Sequence, residues 1–366
     1  MFRESLKIGL AGCGWIAANG HIPAFRKLEN VELESVFDID ISRAKSLAAN
    51  CGIGKFYDNY NEFLQSGIDA VVVTTPNHTH GAYALQAIEN GKHVLCEKPF
   101  TISSIEAEKI VRAAEKNKKV VMPAFVNRFR QDVQAMKDMI DRYAGDIKQV
   151  NAGWIRKSGV PRPGTWFTSR ELSGGGVLID LGSHIVDLCL MITGMKPIKD
   201  ISLHTSYSMA DNFRTSASWF AADYNSDLPV DVEDSADADV EFADKTGMHI
   251  KLSWQAPVKA DYTYFNVVGS EGSVELKTLF GFSNQRLWKD DLLTFTVNGK
   301  TEAISLNTSV NKTLEAFYMM AKQFSSRIIN CDNPEFLTHK DGYNTVRLIE
   351  KLYGSEIKGS IELPVL

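Results

Sequence analysis

The sequence predicts an α/β protein with two domains: a doubly wound parallel sheet, followed by an α+β domain with a mostly antiparallel sheet. Three observations support this prediction. In the first third of the chain, short apolar runs alternate with amphipathic stretches, an order typical of parallel strands joined by helices. From Gly145 to about residue 300 the pattern changes to successive strands. The length of 366 residues accommodates two domains of ordinary size.

The elements of the first domain are set by apolar runs and by helix-end signals. Ala70–Val73 is a continuous apolar run with three consecutive valines, as expected for a buried parallel strand. Gly91 closes the helix before the next strand, and Ser103 with Glu106 forms a capping box at the start of another. Strands are predicted at residues 7–11, 31–37, 70–73, 93–96 and 120–122, and helices at 16–28, 42–50, 83–90 and 103–117.

The second domain is predicted to carry a sheet with a few helices, and the domains are placed at residues 1–125 and 126–366. Strands are predicted at 150–158, 201–207, 235–242, 249–254, 264–268 and 273–276, and helices at 133–143, 311–329 and 342–353. Residues 208–231 are predicted to form a long surface loop. Acidic residues from 231 to 241 alternate with apolar ones from Ala236 onward, which favours a half-buried strand over a metal site.

The composition narrows the class of protein. Hydrophobic residues make up 44% and charged residues 23% of the chain, as in ordinary globular proteins, and no apolar run approaches the length of a membrane span. The net charge of −5 gives no general attraction to nucleic acid or anionic membranes. Five scattered cysteines, none in C-x-x-C spacing, predict neither a zinc site nor a disulfide framework and indicate a reducing cytoplasm.

A glycine-rich turn after the first predicted strand indicates a nucleotide site. Gly12-x-Gly14-x-x-Ala17 allows a tight turn and the close approach of a pyrophosphate to a helix N-terminus. Asp38 ends the second predicted strand, where a carboxylate accepts hydrogen bonds from ribose hydroxyls. A carboxylate repels a 2′-phosphate, and Ile39 rather than an arginine follows it. The sequence therefore predicts a Rossmann domain that binds NAD in preference to NADP.

Two further segments follow predicted parallel strands at their carboxyl ends, where doubly wound sheets bind ligands. One is Thr74–His80 and the other is Glu97-Lys98-Pro99. His78 and His80 lack a nearby cysteine or acid at familiar ligand spacing, so a loop that packs against the cofactor is predicted there, and no metal.

A third candidate segment lies in the second domain, where a glycine-rich entry at residues 174–176 opens a predicted helix. Asp180, His184 and Asp187 occupy positions i, i+4 and i+7, which share one face of a helix. The surrounding stretch is apolar. The polar face is therefore predicted to line a cleft.

Together these segments resemble the Gfo/Idh/MocA oxidoreductases, the family of glucose–fructose oxidoreductase and inositol dehydrogenase, over essentially the whole chain. The E-K-P tripeptide and G-G-G…D-x-G-x-H-x-x-D are the most specific features. The further anchors are Gly12–Ala17, Thr75–His80, Asn127-Arg128-Phe129 and Trp166-Phe167. The resemblance implies a Rossmann domain and a C-terminal domain with an open sheet, whose open face is buried in homodimers or homotetramers. Typical substrates of the family are sugars, cyclitols and their derivatives.

The resemblance also implies roles for individual residues. Lys98 corresponds to the lysine that contacts the reacting hydroxyl, His184 to the usual acid/base residue, and Asp180 to its acidic partner. An imidazole titrates near neutrality and suits proton removal, but the choice of Lys98 or His184 as the base stays open. Glu97 is expected to position Lys98 or the nicotinamide ribose. The expected cofactor-binding residues are Gly12, Gly14, Trp15, Ile16, Asp38, Thr75, Pro76, Asn77, His80, Glu97, Lys98, Asn127 and Trp166.

Substrate choice is less defined by the sequence. Several arginines fall between residues 128 and 170, and they suit either a phosphorylated, nucleotide-linked or carboxylated sugar, or surface and oligomer contacts. The expected substrate-binding residues are Lys98, Arg128, Arg156, Arg162, Trp166, Asp180 and His184.

The expected function is that of an NAD-dependent dehydrogenase or ketoreductase, which transfers a hydride between nicotinamide and a secondary hydroxyl or ketone of a sugar or cyclitol. Two alternatives remain: an NAD-dependent glycoside hydrolase that oxidises its substrate transiently, and a non-catalytic NAD-binding regulatory protein. The presence of Lys98, Asp180 and His184 favours an enzyme over the regulatory protein.

Overall fold

A computed structural model of the chain describes residues 5–208, 225, 227–306, 312–330 and 336–359. The chain divides into two compact units, Met1–Val126 with Leu314–Val346, and Asn127–Thr313 with Arg347–Leu366. The segment Leu314–Val346, which the sequence prediction assigned to the second domain, belongs to the first unit. There the Phe317 ring lies edge-on to the His21 ring, with centroids 5.1 Å apart.

The first unit contains the predicted parallel sheet, in the order β3-β2-β1-β4-β5-β6. This is the strand order of a doubly wound dinucleotide-binding sheet, with β1 and β4 adjacent at the centre. The strands are β1 Leu6–Ala11, β2 Val31–Phe37, β3 Lys55–Tyr57, β4 Ala70–Val73, β5 His93–Cys96 and β6 Val121–Pro123. Sequence analysis did not predict β3, because this three-residue edge strand has no buried residue.

The helices of the first unit follow the predicted order, except that the short helix Tyr60–Leu64 was not predicted. Asp40 caps α2, since its side chain accepts a hydrogen bond from Ser42 N, and Ser103 caps α5 in the same way. The segment after β1 is irregular: a π-helical turn, Ala17–His21, precedes a single α-helical turn. The α-helices that begin in this unit's first segment are α1 Ile22–Phe25, α2 Ile41–Asn50, α3 Tyr60–Leu64, α4 His80–Glu89 and α5 Ser104–Asn117.

The second unit contains a nine-stranded sheet in the order β14-β13-β12-β11-β7-β10-β9-β8-β15. Its neighbours are antiparallel except for the pairs β7/β10 and β8/β15, which confirms the predicted fold class. The strands are β7 Ile147–Ile155, β8 Ile198–Ser206, β9 Ser235–Phe242, β10 Gly247–Ser253, β11 Tyr262–Gly269, β12 Gly272–Thr278, β13 Leu292–Val297, β14 Lys300–Ile304 and β15 Glu356–Lys358. The last three were not predicted.

Helices Gln131–Tyr143, Val177–Asp180 and Gly182–Thr193 pack against the nine-stranded sheet. The stretch predicted as one helix from residue 174 is two helices that meet at Leu181, with 52° between the preceding segment and the following helix. The helices are α6 Gln131–Tyr143, α7 Arg170–Ser173, α8 Val177–Asp180, α9 Gly182–Thr193, α10 Lys312–Asn330 and α11 His339–Tyr353. The last two include residues of both units. Most of the predicted 208–231 loop, residues 209–224 and 226, lies outside the described residues.

Strand β9 shows how the sheet separates its two faces. Ala236, Ala238 and Val240 are buried in the core of the second unit, whereas Asp237 and Asp239 lie on the opposite face. The carboxylate oxygens of the two aspartates lie 3.4 Å and 2.7 Å from the ring nitrogens of His249 on the neighbouring strand. The predicted half-buried strand therefore matches the structure.

No single helix in the described part of the chain has both the length and the apolar composition to cross a membrane. One bent pair of helical segments, Arg170–Asp180 and Gly182–Thr193, has that length and apolar composition when the two segments are taken together.

Candidate active site

The turn after β1 is shaped by two glycines with different constraints. Gly12 has φ of +99°, and a Cβ there would lie 2.6 Å from the Thr74 carbonyl. Only glycine fits both the dihedral angle and the close approach. A Cβ at Gly14 would meet no atom of the described residues within 4 Å, so this side of the turn is open. The turn thus has the cradle that a pyrophosphate requires.

Asp38 is held at the end of β2 by two backbone donors. Its Oδ2 accepts a hydrogen bond from Cys13 N at 2.9 Å, and its Oδ1 accepts one from Asp40 N at 3.0 Å. The carboxylate is thereby fixed beside the glycine turn, as ribose recognition in a Rossmann domain requires. Trp15 and Ile16 begin the helical segment after the turn. These residues fit a dinucleotide.

The Thr75–His80 segment is fixed by internal hydrogen bonds. Thr79 Oγ1 donates to Thr75 Oγ1 at 2.7 Å, and Asn77 is buried in a short 3₁₀ turn. The ring nitrogens of His80 lie 2.7 Å from the Pro99 carbonyl oxygen and 2.8 Å from that of Thr75. Burial lowers the pKa of His80, although both carbonyls oppose this. His80 therefore links this loop to the E-K-P segment.

The E-K-P segment follows β5, and its glutamate makes two hydrogen bonds. Glu97 Oε2 accepts from Lys98 N at 3.0 Å, and Glu97 Oε1 lies 2.8 Å from His21 Nε2. Burial opposes ionisation of Glu97, but the hydrogen bond with His21 and the charge of Lys98 outweigh it and lower the pKa of Glu97. Lys98 is half-buried, and its peptide bond to Pro99 is cis.

In the second unit, the glycine-rich entry at residues 174–176 encloses a buried carboxylate. Glu233 accepts hydrogen bonds from Gly176 N and Leu178 N at 3.0 Å and from the Tyr353 hydroxyl at 2.7 Å. A Cβ at Gly175 would lie 2.0 Å from the Tyr353 hydroxyl, and one at Gly176 would lie 1.9 Å from the Glu233 carbonyl oxygen. The glycines are thus required by this close packing. Glu233 anchors the start of the helical segment that carries Asp180 and His184.

Glu233 is expected to contribute strongly to stability. Replacing it with alanine leaves buried donors without their acceptor, and we expect the free energy of unfolding to fall by about 3 kcal/mol. Urea unfolding measures this loss. Glu241→Ala is the control, because Glu241 forms an exposed ion pair with Lys199, and its loss should be below about 1 kcal/mol. Equal losses in the two variants would show that Glu233 contributes no more to the free energy of unfolding than an exposed ion pair does.

Asp180 and His184 lie on either side of the bend at Leu181, and both are almost fully buried. Asp180 Oδ2 accepts a hydrogen bond from Trp254 Nε1 at 2.9 Å. The His184 ring lies 5.9 Å from that of Trp154. The second unit therefore holds a carboxylate and an imidazole at fixed positions on adjoining helical turns.

Asp187, the third polar residue of the helix, binds a predicted site residue. Its carboxylate accepts hydrogen bonds from Arg128 Nη2 at 2.6 Å and Nε at 2.9 Å, and both side chains are at most 3% exposed. The charge of Arg128 is therefore matched within the protein. Asn127, the neighbouring predicted cofactor residue, is also buried.

The other predicted cationic residues differ in environment. Arg156 is buried, and burial lowers its pKa against the opposing charges of Asp180 and Asp261. Its guanidinium lies 5.3 Å from the Trp154 ring. Arg162 is exposed, and Arg170 pairs with Glu356 at 3.3 Å. Trp166 is half-buried and stacks on Phe167. Of the arginines that the sequence groups together, Arg128 and Arg170 are therefore each paired with a carboxylate.

Three residues that hydrogen-bond to the predicted site segments were not predicted from the sequence: His21, Glu233 and Trp254. Each contacts a motif residue far away in the chain, so spacing gave no signal for the pairing. The triple glycine was the one available sign for Glu233, because such a run indicates close approach of another group.

The parallel sheet, its glycine turn and the strand-end carboxylate define a dinucleotide-binding protein of the Rossmann type. Residues 6–125 match the oxidoreductase family with an NAD-binding Rossmann fold, and residues 133–275 match the GFO/IDH/MocA C-terminal domain. The chain belongs to the Gfo/Idh/MocA family of oxidoreductases.

Similar proteins are found among curated sequences and solved structures. A putative UDP-kanosamine synthase oxidoreductase subunit of Amycolatopsis mediterranei is 30% identical over 77% of this chain and 78% of its own length. The D-glucoside 3-dehydrogenase of Escherichia coli is 31% identical over 66% of this chain and 68% of its own. A levoglucosan dehydrogenase in complex with NADH and levoglucosan has the same fold, with a TM-score of 0.79, 20% identity and coverage of 96% of this chain and 97% of that one.

Proposed function

We propose that the protein is an NAD-dependent dehydrogenase or ketoreductase that acts on a secondary hydroxyl of a glucose derivative, at carbon 3. Family membership supports the class of reaction, and the similarity to a D-glucoside 3-dehydrogenase supports the position on the sugar. The observation that carries the proposal is the pair Asp180 and His184, fixed one helical turn apart in an apolar, buried segment.

In this proposal the chain supplies the groups that handle the hydroxyl proton. A bound NAD would supply the acceptor for the hydride of the carbinol carbon. Lys98 contacts the reacting hydroxyl, while Asp180, oriented by Trp254, accepts a hydrogen bond from the substrate or from His184. The hydroxyl proton passes to Lys98 or to His184, and comparison of the pH profiles of Lys98→Met and His184→Asn distinguishes the two.

The cofactor is proposed to be held mainly by backbone groups of the first unit. The turn at Gly12 and Gly14 would receive the pyrophosphate, and Asp38 would bind the ribose hydroxyls. The remaining proposed cofactor residues are Trp15, Ile16, Thr75, Pro76, Asn77, His80, Glu97, Lys98, Asn127 and Trp166. Of the predicted substrate arginines, the proposal retains Arg156 and Arg162, while Arg128 is assigned to the ion pair with Asp187.

The preference for NAD gives a direct prediction. Asp38→Ser removes the carboxylate that would repel a 2′-phosphate, and we expect kcat/KM for NADP to rise by about tenfold or more, which corresponds to ~1.4 kcal/mol. Steady-state kinetics with both cofactors measures the change. Asp40→Asn is the matched control, since Asp40 is also acidic but binds Ser42 and Arg43. NADP use unchanged by Asp38→Ser, or raised equally by Asp40→Asn, would contradict this role.

Self-association is proposed from the open face of the nine-stranded sheet. Asp237, Asp239 and His249 lie together on this polar face. A homodimer or homotetramer would cover it, and light scattering coupled to size-exclusion chromatography measures the mass. A cytoplasmic location is proposed as well, supported by the free thiols found among the described residues, those of Cys13, Cys51, Cys96 and Cys189.

A screen of substrates tests the proposal as a whole. Methyl glucosides, free sugars, inositols, sugar phosphates and nucleotide sugars are incubated with NAD, and NADH absorbance is followed. We expect NADH to form with a glucose derivative and not with the corresponding 3-deoxy sugar. Equal turnover of the 3-deoxy compound would reject carbon 3 as the site of oxidation.

A further inference from the structure

His21 is a fully buried histidine of the first unit that neither the sequence motifs nor the proposed function uses. It ends the π-helical turn Ala17–His21, directly after the nucleotide turn. Such π-helical turns are rare and frequently occur at functional sites. The irregular backbone therefore marks His21, the last residue of this turn, as a candidate functional residue.

The His21 side chain reaches the E-K-P segment. Its Nε2 lies 2.8 Å from Glu97 Oε1, and the other carboxylate oxygen accepts a hydrogen bond from Lys98 N at 3.0 Å. The Glu97 carboxylate thus bridges the His21 ring and the backbone of Lys98. Both side chains of the His21–Glu97 pair are at most 10% exposed, so water competes little for this hydrogen bond.

The contacts of the ring identify Nε2 as the donor. Among the described residues, none offers a hydrogen-bond partner to His21 Nδ1. The ring nitrogen that faces Glu97 must carry a proton to bond it, because a carboxylate oxygen can only accept. The Phe317 ring packs edge-on against His21 and restricts its rotation.

We propose that His21 is a positioning residue for Lys98, acting by donating a hydrogen bond from Nε2 to the carboxylate that holds the Lys98 backbone. This inference rests on the proposed function, in which Lys98 contacts the reacting hydroxyl. Without His21, Glu97 remains buried and loses its strongest donor, and the orientation of Lys98 is no longer fixed.

Two substitutions separate positioning from packing. His21→Phe retains an aromatic ring against Phe317 but cannot donate, whereas His21→Gln retains a nitrogen donor able to reach Glu97. We expect His21→Phe to lower kcat by about a hundredfold, the scale of a small misplacement of a catalytic group. KM for NAD should change much less, and His21→Gln should recover most of kcat.

The pH dependence gives a readout that packing alone would not move. The groups that interact with Glu97 are His21, Lys98, His80 and Cys96. Since the hydrogen bond with His21 lowers the pKa of Glu97, its loss raises that pKa and the carboxylate protonates at a higher pH. In His21→Phe the protonation of Glu97 should therefore add to that of the base, so that kcat falls at a higher pH than in the wild type, whereas His21→Gln should keep the wild-type profile.

A spectroscopic measurement tests the hydrogen bond without turnover. Nitrogen NMR of histidine-labelled protein should show His21 with its proton on Nε2, and Glu97→Ala should alter that signal. If His21→Phe does not fold, His21→Asn, which is too short to reach Glu97, takes its place beside His21→Gln. Wild-type kcat and an unmoved acid limb in the non-donating variant would overturn the proposal. Absence of sugar turnover in the wild type would reject the proposed function instead, and the NMR signal would then decide the His21–Glu97 bond alone.

Discussion

Replacing Lys98 with methionine is expected to lower kcat for sugar oxidation by about 10² to 10⁴, the range for loss of a positioned proton-transfer group. Methionine keeps the length of the side chain and removes its charge and its protons. Because the nucleotide turn and Asp38 are untouched, NAD should still bind, weakened only by the loss of its contact with Lys98. Initial rates of NADH formation measure kcat, and titration with NAD measures binding.

Lys116→Met is the matched control, since Lys116 is an exposed lysine near the end of α5. It should leave kcat unchanged. Wild-type turnover in Lys98→Met would show that the E-K-P lysine has no part in the reaction.

His184→Asn is expected to lower kcat over the same range. Asparagine retains a hydrogen-bonding side chain but does not titrate near neutrality. Comparison of pH profiles distinguishes the two candidate bases. The variant that loses the ionisation responsible for the acid limb of the kcat profile has lost the base, and the other residue then serves to hold the hydroxyl.

The second large effect is expected on stability, at the buried ion pair between Asp187 and Arg128. Asp187→Ala leaves the Arg128 guanidinium buried without its carboxylate, and removal of one partner of such a pair costs about 3–5 kcal/mol. Arg128 is only 3% exposed, so solvent cannot replace the lost partner. Urea unfolding measures the change in the free energy of unfolding.

The double variant Arg128→Met/Asp187→Leu provides the control. It removes both charges and fills the space with apolar groups, and such replacements of buried pairs are often neutral or stabilising. Its free energy of unfolding should lie close to that of the wild type. A loss below about 1 kcal/mol in Asp187→Ala, the scale of an exposed pair, would contradict the burial of this interaction.

The sequence predicted the fold class because each sheet has its own hydrophobic pattern. The continuous apolar run at Ala70–Val73 and the alternation at Ala236–Phe242 both correspond to strands in the structure. Strands such as β3 and β15 were missed, since each has only three residues and no buried one, and so carries no such pattern. The bend at Leu181 was missed as well. The backbone angles of Leu181 remain helical, so the helical pattern of the sequence continues through the bend.

The partners of the motif residues were beyond sequence reasoning. His21 and Glu97 are 76 positions apart in the chain, and Asp180 and Trp254 are 74 apart. Local spacing predicts which residues share a helix face but does not predict which distant group meets them. The arginines illustrate the same limit: their positions were evident, but the pairing of Arg128 with Asp187 depends on the fold.

The measurement that tests the central claim most directly is hydride transfer from a labelled sugar. Methyl glucoside carrying deuterium at carbon 3 is incubated with NAD and the enzyme, and the nicotinamide and sugar products are analysed by mass spectrometry. The account predicts deuterium in the reduced cofactor and a ketone at carbon 3 of the sugar. Deuterium retained in the sugar together with unlabelled NADH would contradict the assigned position. The absence of NADH with every sugar of the panel would contradict the assigned reaction.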